Sequence, residues 1–462
     1  MIKRVLALTF FLIALSGNVF AADAMPVAPK YALEECCAIC PEANNPANYE
    51  NGFLSKFKIL LEGKNNWLFR SGNDFLEQFG PTEASYAQLK RLNEALKAKG
   101  VTLVLVYTPT RGLLHSDLLP EAQKQHFHIE KAKKNFRLTL DKMRAQGIVV
   151  PDLTQLFSTN HPDFFFKRDH HWTTYGAQMT AQIVSAEIKK LAVYQTIPKV
   201  SYSTRQEGIL IKSGTLQAAY KKICGYDTSD QYIKAFVTES SGASSGESSD
   251  LFGDSFPEIT LVGTSNSKGA LSYNFDGFLK QNLSADINNV AMPAGLDGAL
   301  LQYLPSNDFQ KSPPKIMIWE VPSYYDLQSD IFYRQAIPLI NNGCKGKKTL
   351  LEKKTLITRD VQEVLFNGGG KVLPIKGNKH VIDLTFSDPN IKQLDANVWM
   401  MNGRKDHIKA KFTTRVNNSG RFVFEIKHEG EWAQMNFLSL DITRLEGYGK
   451  SVQVKTSLCE IE

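Results

Sequence analysis

Short, almost continuous apolar runs alternate with segments of helical periodicity through the first three quarters of the chain. Apolar residues from Tyr86 to Leu96 recur every three or four positions, and Gly100 follows as a stop signal for a helix. Residues 101–106, Val-Thr-Leu-Val-Leu-Val, are typical of a strand buried on both faces. The same pattern predicts helices at about 128–146 and from after residue 169 to about 191, and strands at 148–150, 259–262 and 316–321. This alternation predicts an α/β fold with a mainly parallel sheet covered on both sides.

The pattern changes after Cys344, where many short alternating segments fill residues 350–459. Residues 407–416 and 421–427 flank Asn-Asn-Ser-Gly at 417–420, which predicts a hairpin. Strands at this spacing predict a β-sandwich. We therefore expect an α/β domain over residues 22–345 and a β-sandwich over residues 346–462. Within the first domain, residues 30–80 are expected to wrap the core irregularly, and the Ser/Gly-rich stretch 240–250 to form a mobile loop, either plainly solvated or acting as a lid.

The first residues resemble an export signal. Lys3 and Arg4 precede an apolar stretch over residues 5–15, and Val-Phe-Ala at 19–21 has the small residues of a cleavage site. The apolar stretch is shorter than the roughly 20 residues that span a bilayer, although an uncleaved anchor is the alternative. No later stretch is long enough to cross a membrane. We expect residues 1–21 to be removed and the mature chain to be exported.

Composition limits the partners. The 462 residues carry a formal charge of +7, a mild excess that favours anionic partners without identifying one, and no nucleic-acid-binding motif accompanies it.

The six cysteines are Cys36, Cys37, Cys40, Cys224, Cys344 and Cys459. In an exported chain they are expected to form bridges, but fifteen full pairings are possible. The close spacing at 36–40 lacks a second cysteine pair or nearby histidines, so we do not predict a metal site.

A candidate catalytic group begins at Asp169-His170-His171, directly before a predicted helix. The Asp169 carboxylate is placed to orient the His171 imidazole, which would act as a base. A nucleophile belongs where a buried strand ends, and two serines compete for this role. Ser255 ends Gly-Asp-Ser, the literal signature of SGNH hydrolases, but it follows the Ser-rich loop and precedes Phe-Pro. Ser265 follows the predicted strand 259–262, so we prefer Ser265.

These motifs together resemble one family. Strand–Gly-Thr-Ser265-Asn-Ser267 and Asp169-x-His171-Trp172-Thr-x-x-Gly176 are similar to the SGNH hydrolase-like domain of the AlgX and AlgJ alginate acetylation proteins. The order Asp/His before Ser is inverted relative to ordinary SGNH hydrolases and matches the permuted arrangement of this family. Residues 107–111 and 319–325, at the ends of two predicted strands, also resemble it. A following β-sandwich is similar to the family's AlgX branch, in which it is a carbohydrate-binding module.

The resemblance implies roles for individual residues. It implies that Ser265 is the nucleophile, His171 the general base and Asp169 its orienting partner, with no metal or cofactor. It also implies that Cys40 pairs with Cys224 and that Cys344 pairs with Cys459, which leaves Cys36 and Cys37 over. No block Gly or Asn for an oxyanion hole is evident, so backbone N–H groups near Ser265 are expected to supply part of it.

Substrate contacts are expected in both domains. Tyr324 follows a strand on the active face and is a candidate substrate or oxyanion contact, with packing at the domain edge as the alternative. Arg111 has a planar fork suited to a uronate carboxylate, and a structural salt bridge is its alternative. In the β-sandwich, a tryptophan lies among cations near one expected hairpin, and the alternative there is a core tryptophan beside a solvated loop. The members of this cluster are Lys392, Trp399, Arg404 and Lys405.

The implied function is periplasmic O-acetyl transfer to mannuronate hydroxyls of alginate, alongside other alginate acetylation and secretion proteins. A polysaccharide acetylesterase would use the same triad with water as the acceptor. A non-catalytic scaffold that holds the polymer for secretion is a third class. The sequence does not identify the acetyl donor, the position acetylated or the oligomeric state.

Overall fold

A computed structural model of the chain describes residues 39–158, 161, 163–225, 227–241, 256–268, 273–446 and 452–460. The expected export signal, Cys36, Cys37 and Ser255 lie outside these ranges. The helices are α1 (Glu83–Ala98), α2 (Arg111–His115), α3 (Glu121–Lys124), α4 (Ile129–Ala145), α5 (Thr174–Ile188), α6 (Thr215–Cys224), α7 (Phe275–Leu283), α8 (Gly298–Tyr303), α9 (Asn307–Lys311) and α10 (Asp330–Ile340).

The strands of the first domain are β1 (Leu60–Glu62), β2 (Leu68–Arg70), β3 (Thr102–Thr108), β4 (Tyr202–Lys212), β5 (Gln231–Ser240), β6 (Ile259–Val262), β7 (Asn288–Asn289) and β8 (Ile316–Pro322). Those of the second are β9 (Thr349–Ile357), β10 (Gln362–Phe366), β11 (His380–Phe386), β12 (Gln393–Met400), β13 (Lys405–Lys411), β14 (Arg421–Glu425), β15 (Phe437–Glu446) and β16 (Val452–Glu460).

A parallel sheet forms the centre of the first domain, as the apolar pattern predicts. Its strand order is β3-β8-β6-β7, and each neighbouring pair is parallel. Every residue of β6 and β8 is buried, which explains their continuous apolar sequences. The predicted helices correspond to α1, α4 and α5. The predicted strand at 148–150 is reduced to one bridge, between Val149 and Val104.

The helix boundaries follow local capping chemistry. Thr82 caps α1 by accepting a hydrogen bond from Ser85 N, and Thr173 caps α5 in the same way from Gly176 N. The chain leaves α1 and α4 through Gly100 and Gly147, which have φ of +81° and +72°. Only glycine adopts this left-handed conformation without strain. These caps set where the chain leaves each helix to enter the sheet.

Residues 39–80 wrap the first domain, as expected. This segment contains short 3₁₀ turns and the β1–β2 hairpin, and its own small apolar cluster includes Tyr49, Leu60 and Leu216 of α6. A disulfide joins Cys40 to Cys224 at the end of α6, so this implied pairing is present in the structure. The N-terminal segment is therefore anchored covalently and by packing.

The long β4–β5 hairpin was not predicted. Its ten-residue antiparallel register runs from Tyr202–Ser240 to Lys212–Gln231. Every β4 residue is exposed or half-buried, so the pattern lacks the strong alternation of a strand with one buried face. The expected mobile loop lies beyond this hairpin, and residues 242–255 are outside the described ranges.

The second domain is a sandwich of two four-stranded antiparallel sheets. One has the order β10-β15-β12-β13 and the other β14-β11-β16-β9. The hairpin predicted across residues 407–427 is wrong, because β13 and β14 belong to different sheets. Residues 412–420 cross between the sheets, and the hairpin here is β12–β13. A disulfide joins Cys344 to Cys459 on β16, as the resemblance implies.

Buried polar contacts fasten the two domains to each other. The Arg334 guanidinium on α10 forms an ion pair with Asp406 on β13, at 2.6 Å, and donates to the Glu425 backbone oxygen. Arg91 on α1 forms an ion pair with the Glu425 carboxylate at 2.8 Å. Across the described ranges, no helix is long and apolar enough to cross a membrane.

Candidate active site

Asp169, His171 and Ser265 lie together as a hydrogen-bonded triad at the carboxyl ends of the parallel strands. Ser265 Oγ lies 2.8 Å from His171 Nε2. The Asp169 carboxylate bonds His171 Nδ1 through a short contact and also accepts the backbone N–H of His171 at 2.9 Å. This arrangement fixes the imidazole with Nε2 facing the hydroxyl.

Local structure explains how the chain brings these groups together. Ser265 lies in the turn that follows β6, and Asp169 and His171 lie in the loop that precedes α5. The indole N–H of Trp172 donates to the Asn266 backbone oxygen at 3.0 Å. This bond fastens the His171 loop to the turn of Ser265, although the two segments are far apart in sequence.

Asp169 is completely buried, yet its surroundings keep it ionised. Burial alone would raise the pKa of Asp169, but the interactions with His171, His170 and Lys212 hold it well below its usual value. Its second oxygen, Oδ2, accepts the backbone N–H of Thr215 at 2.6 Å. A carboxylate held in this way orients the imidazole and would stabilise an imidazolium on His171 if Ser265 were deprotonated.

Several residues around the triad were not predicted from the sequence. Lys212 on β4 donates to the Tyr273 hydroxyl at 2.8 Å and lies 4.0 Å from Asp169 Oδ2, and the Tyr273 ring packs 5.5 Å from His171. The unpredicted β4–β5 hairpin thus supplies a cation to the base side of the triad. Glu320, the single acid in the apolar run of β8, lies beneath the turn of Ser265.

Asp169, His170 and His171 also form a group with potential metal-ligand atoms within 4.8 Å of one another. Each already has a protein partner. His170 Nδ1 lies 2.6 Å from Thr215 Oγ1, and Asp169 uses both oxygens on His171 and Thr215. The hydrogen bonds are those of a triad rather than of a ligand set.

Tyr324 lies on the same edge of the sheet, just beyond β8. Its half-buried ring packs against Tyr325, and the Arg70 guanidinium lies 4.6 Å from its centroid. Burial raises the pKa of Tyr324, so its hydroxyl is neutral at physiological pH. The tyrosine lines a cavity of about 230 Å³ together with Lys58, Gln78 and other residues. A substrate contact by Tyr324 remains a proposal.

Arg111 does not reach the surface, so the expected uronate contact is corrected. Its side chain is 1% exposed. The guanidinium donates to the backbone oxygens of Leu68, Phe166, Lys167 and Asp169. Burial, the largest effect, lowers its pKa to about 10, which leaves it charged at neutral pH. Arg111 Nε also lies 3.5 Å from Asp74 Oδ2, so the side chain forms a buried salt bridge, which is the structural alternative, and holds the loop that carries Asp169.

The cation–tryptophan cluster of the β-sandwich is only partly contiguous. Trp399 pairs with Lys405 across the β12–β13 hairpin, and Lys405 Nζ lies 5.4 Å from the Trp399 ring centroid. Trp399 is half-buried, with its indole N–H bonded to Asp441, so it is not a core residue. The Arg404 guanidinium lies instead 4.9 Å from the ring centroid of Trp432, a residue that the sequence analysis did not predict. Lys392 lies just before the other end of β12 and donates a hydrogen bond to Asn418. Seven strand residues separate Lys392 from Trp399, a distance of about 23 Å.

A parallel sheet with a Ser-His-Asp triad at its carboxyl edge, followed by a β-sandwich, defines an SGNH hydrolase-like enzyme class with an appended module. Residues 60–323 match the model described as the SGNH hydrolase-like domain of acetyltransferase AlgX, and residues 343–462 match a C-terminal carbohydrate-binding module. The chain belongs to the AlgX family.

Curated relatives and a solved structure agree with this assignment. The chain is 40% identical to the alginate biosynthesis protein AlgX of Azotobacter vinelandii, over 97% of this chain and 93% of that protein. It is 31% identical to "Probable alginate O-acetylase AlgJ" of Pseudomonas aeruginosa, over 59% of this chain and 72% of that protein. The solved structure of Pseudomonas aeruginosa AlgX superposes with a TM-score of 0.82 at 38% identity, covering 92% of this chain and 99% of that one.

Proposed function

We propose that this protein is a periplasmic O-acetyltransferase that moves acetyl groups onto mannuronate hydroxyls of alginate through an acetyl-Ser265 intermediate. The observation that carries the proposal is the aligned Asp169–His171–Ser265 triad in an alginate biosynthesis family. The triad alone is shared with hydrolases, and the family relationship favours transfer to the polymer.

In the first half-reaction, Ser265 Oγ attacks the carbonyl carbon of an acetyl donor while His171 Nε2 accepts the hydroxyl proton. The bond between the acetyl carbon and the donor's leaving group breaks, and His171 returns the proton to that group. In the second, a mannuronate hydroxyl transfers its proton to His171 and attacks the acetyl carbon. The Ser265 ester bond breaks, and Ser265 regains its proton from His171.

The β-sandwich is proposed to hold the acceptor polymer. Trp399 offers a ring for a sugar face, and the adjacent Lys405 ammonium offers a charge for a uronate carboxylate. Within the described ranges, Lys405 has no carboxylate partner, whereas Lys353 and Lys455 of this domain are paired with Glu363 and Glu352. The unpaired Lys405 is therefore available to an anionic ligand.

The deciding experiment incubates the purified protein with a small acetyl ester and mannuronate oligomers and measures the oligomer mass. We expect added acetyl groups with the wild type and none with Ser265→Ala. Release of acetate with no gain in oligomer mass would identify an esterase instead. Neither product from the wild type, together with no labelling of Ser265 by a serine-directed acylating reagent, would identify a scaffold.

A further inference from the structure

The turn that carries the nucleophile is built around a buried carboxylate. Glu320 is 0% exposed and occupies the β8 position beside the end of β6. It accepts hydrogen bonds from Thr264 N at 2.9 Å, Thr264 Oγ1 at 2.8 Å, Ser267 Oγ at 3.1 Å and Asn266 Nδ2 at 3.3 Å. All four donors belong to residues 264–267, on either side of Ser265.

The four contacts of this pocket all require a hydrogen-bond acceptor, and three of them fall on one oxygen, Glu320 Oε2. Two carboxylate oxygens offer about four acceptor positions and no donor, whereas an amide replaces two of those positions with N–H groups. Burial, the largest effect, raises the pKa of Glu320, and the hydrogen bonds from Thr264, Asn266 and Ser267 oppose that rise. Among the described residues, no Lys, Arg or His forms an ion pair with Glu320, so the turn itself supplies its stabilising contacts. Gly263 permits the approach, since a Cβ there would lie 3.0 Å from Glu320 Oε2.

These bonds leave one backbone N–H group of the turn without a hydrogen-bond partner in the ranges that the structure describes. Thr264 N–H is bound to Glu320, Asn266 N–H to Thr264 Oγ1 at 3.2 Å, and Ser267 N–H to the Thr264 backbone oxygen at 3.2 Å. No hydrogen bond engages Ser265 N–H in the described part of the chain. Ser265 is also the residue of this turn that reaches the surface. Its N–H is therefore available to an oxyanion that forms on the acetyl group.

We propose that Glu320 is a positioning residue, which holds the turn so that Ser265 Oγ faces His171 while Ser265 N–H stays free as an oxyanion donor. The inference rests on the proposed function, because it requires Ser265 to be the nucleophile. Glu320 does not touch substrate. It acts through the turn, and misplacing a reacting group by about 1 Å can cost about 100-fold in rate.

The test compares Glu320→Gln and Glu320→Ala with the wild type, using hydrolysis of a small acetyl ester and the rate of Ser265 acylation. Gln keeps one acceptor oxygen, so we expect a fall of about tenfold, the effect of one lost charge-assisted hydrogen bond. Ala removes the whole contact set, so we expect about 100-fold. Because Asp169 and His171 are untouched, the pH–rate profile should fall in height without moving its inflection.

Glu425→Gln is the matched control, since Glu425 is also 0% exposed but lies in the β-sandwich, bound to Arg91. It should lower thermal stability and leave the acylation rate unchanged. If Glu320→Ala fails to fold, the Gln variant still decides. Wild-type acylation rates in the folded Glu320→Gln variant would overturn the inference. Wild-type acylation in Ser265→Ala would instead overturn the proposed function.

Discussion

At the scale of single residues, the triad makes a direct prediction. Ser265→Ala, His171→Ala and Asp169→Ala should each lower acetyl transfer by about 10³-fold or more, because removing one member disables the base–nucleophile pair. The losses should not add in a double variant, since the three side chains act as one unit. Transfer assays with thermal unfolding as a check on folding would measure this. Full activity in Ser265→Ala with loss in Ser255→Ala would show that the other serine is the nucleophile.

Asp169 also makes a prediction about stability and pH. Its pKa is depressed in the folded protein, so it stabilises the fold above the unfolded-state pKa of about 3.9, and this stabilisation is lost as the pH falls through the folded pKa. The stability difference between wild type and Asp169→Asn should therefore be full at pH 5 to 7 and shrink below about pH 4. Urea unfolding across this range measures it. A difference that is independent of pH would contradict the assigned cause.

Sequence reasoning reached the triad for a physical reason. Ser265 follows an uninterrupted apolar strand, and Asp169 and His171 are separated by one residue, so both signals are local. Arg111 was misjudged because its type suits both a ligand and a brace, and only burial distinguishes these roles. Glu320 and Lys212 were missed because their contacts are made across the sheet and across the β4–β5 hairpin, which no local pattern encodes.

At the scale of elements, the local sequence pattern predicted a helix or strand correctly where one face, or every face, of that element is buried. The buried strands β3, β6 and β8 and the helices α1, α4 and α5 follow their apolar periods closely. The prediction of a hairpin between β13 and β14 was wrong, although residues 417–420 are typical of a hairpin turn. A turn signal reports only that the chain bends, and whether the next strand pairs with the same sheet depends on packing between sheets.

The bridge between Cys344 and Cys459 gives an element-scale prediction. It joins the segment before β9 to the last strand, β16, across a sequence separation of 115. Closing so long a loop restricts the unfolded chain, so Cys344→Ser with Cys459→Ser should lower the free energy of unfolding by about 2–5 kcal/mol. Urea unfolding of the wild type and the double variant, both without reductant so that the Cys40–Cys224 bridge stays intact, measures the difference. Equal stabilities in the oxidised and double-variant proteins would show that this bridge adds nothing.

At the scale of the whole molecule, the domain interface fixes where the β-sandwich lies relative to the triad. Arg334 and Arg91 make buried or half-buried ion pairs across the interface, so the β-sandwich does not swing freely on a linker. A long polyanion that contacts both domains would then present its hydroxyls near Ser265 at a raised effective concentration. An oligomer too short to reach from one domain to the other gains nothing from the second contact.

This geometry predicts a dependence on polymer length. Trp399→Ala with Lys405→Ala should raise the dissociation constant for long polymannuronate and change that for short oligomers little. The same variant should hydrolyse a small acetyl ester like the wild type, because the triad and its turn lie in the other domain. Salt should weaken the wild type's advantage for long chains, since the Debye length falls to about 3 Å at 1 M. Binding titrations across oligomer lengths at low and high salt measure both effects. Equal affinities of variant and wild type at every length would leave Trp399 and Lys405 as a solvated hairpin end with no part in holding polymer.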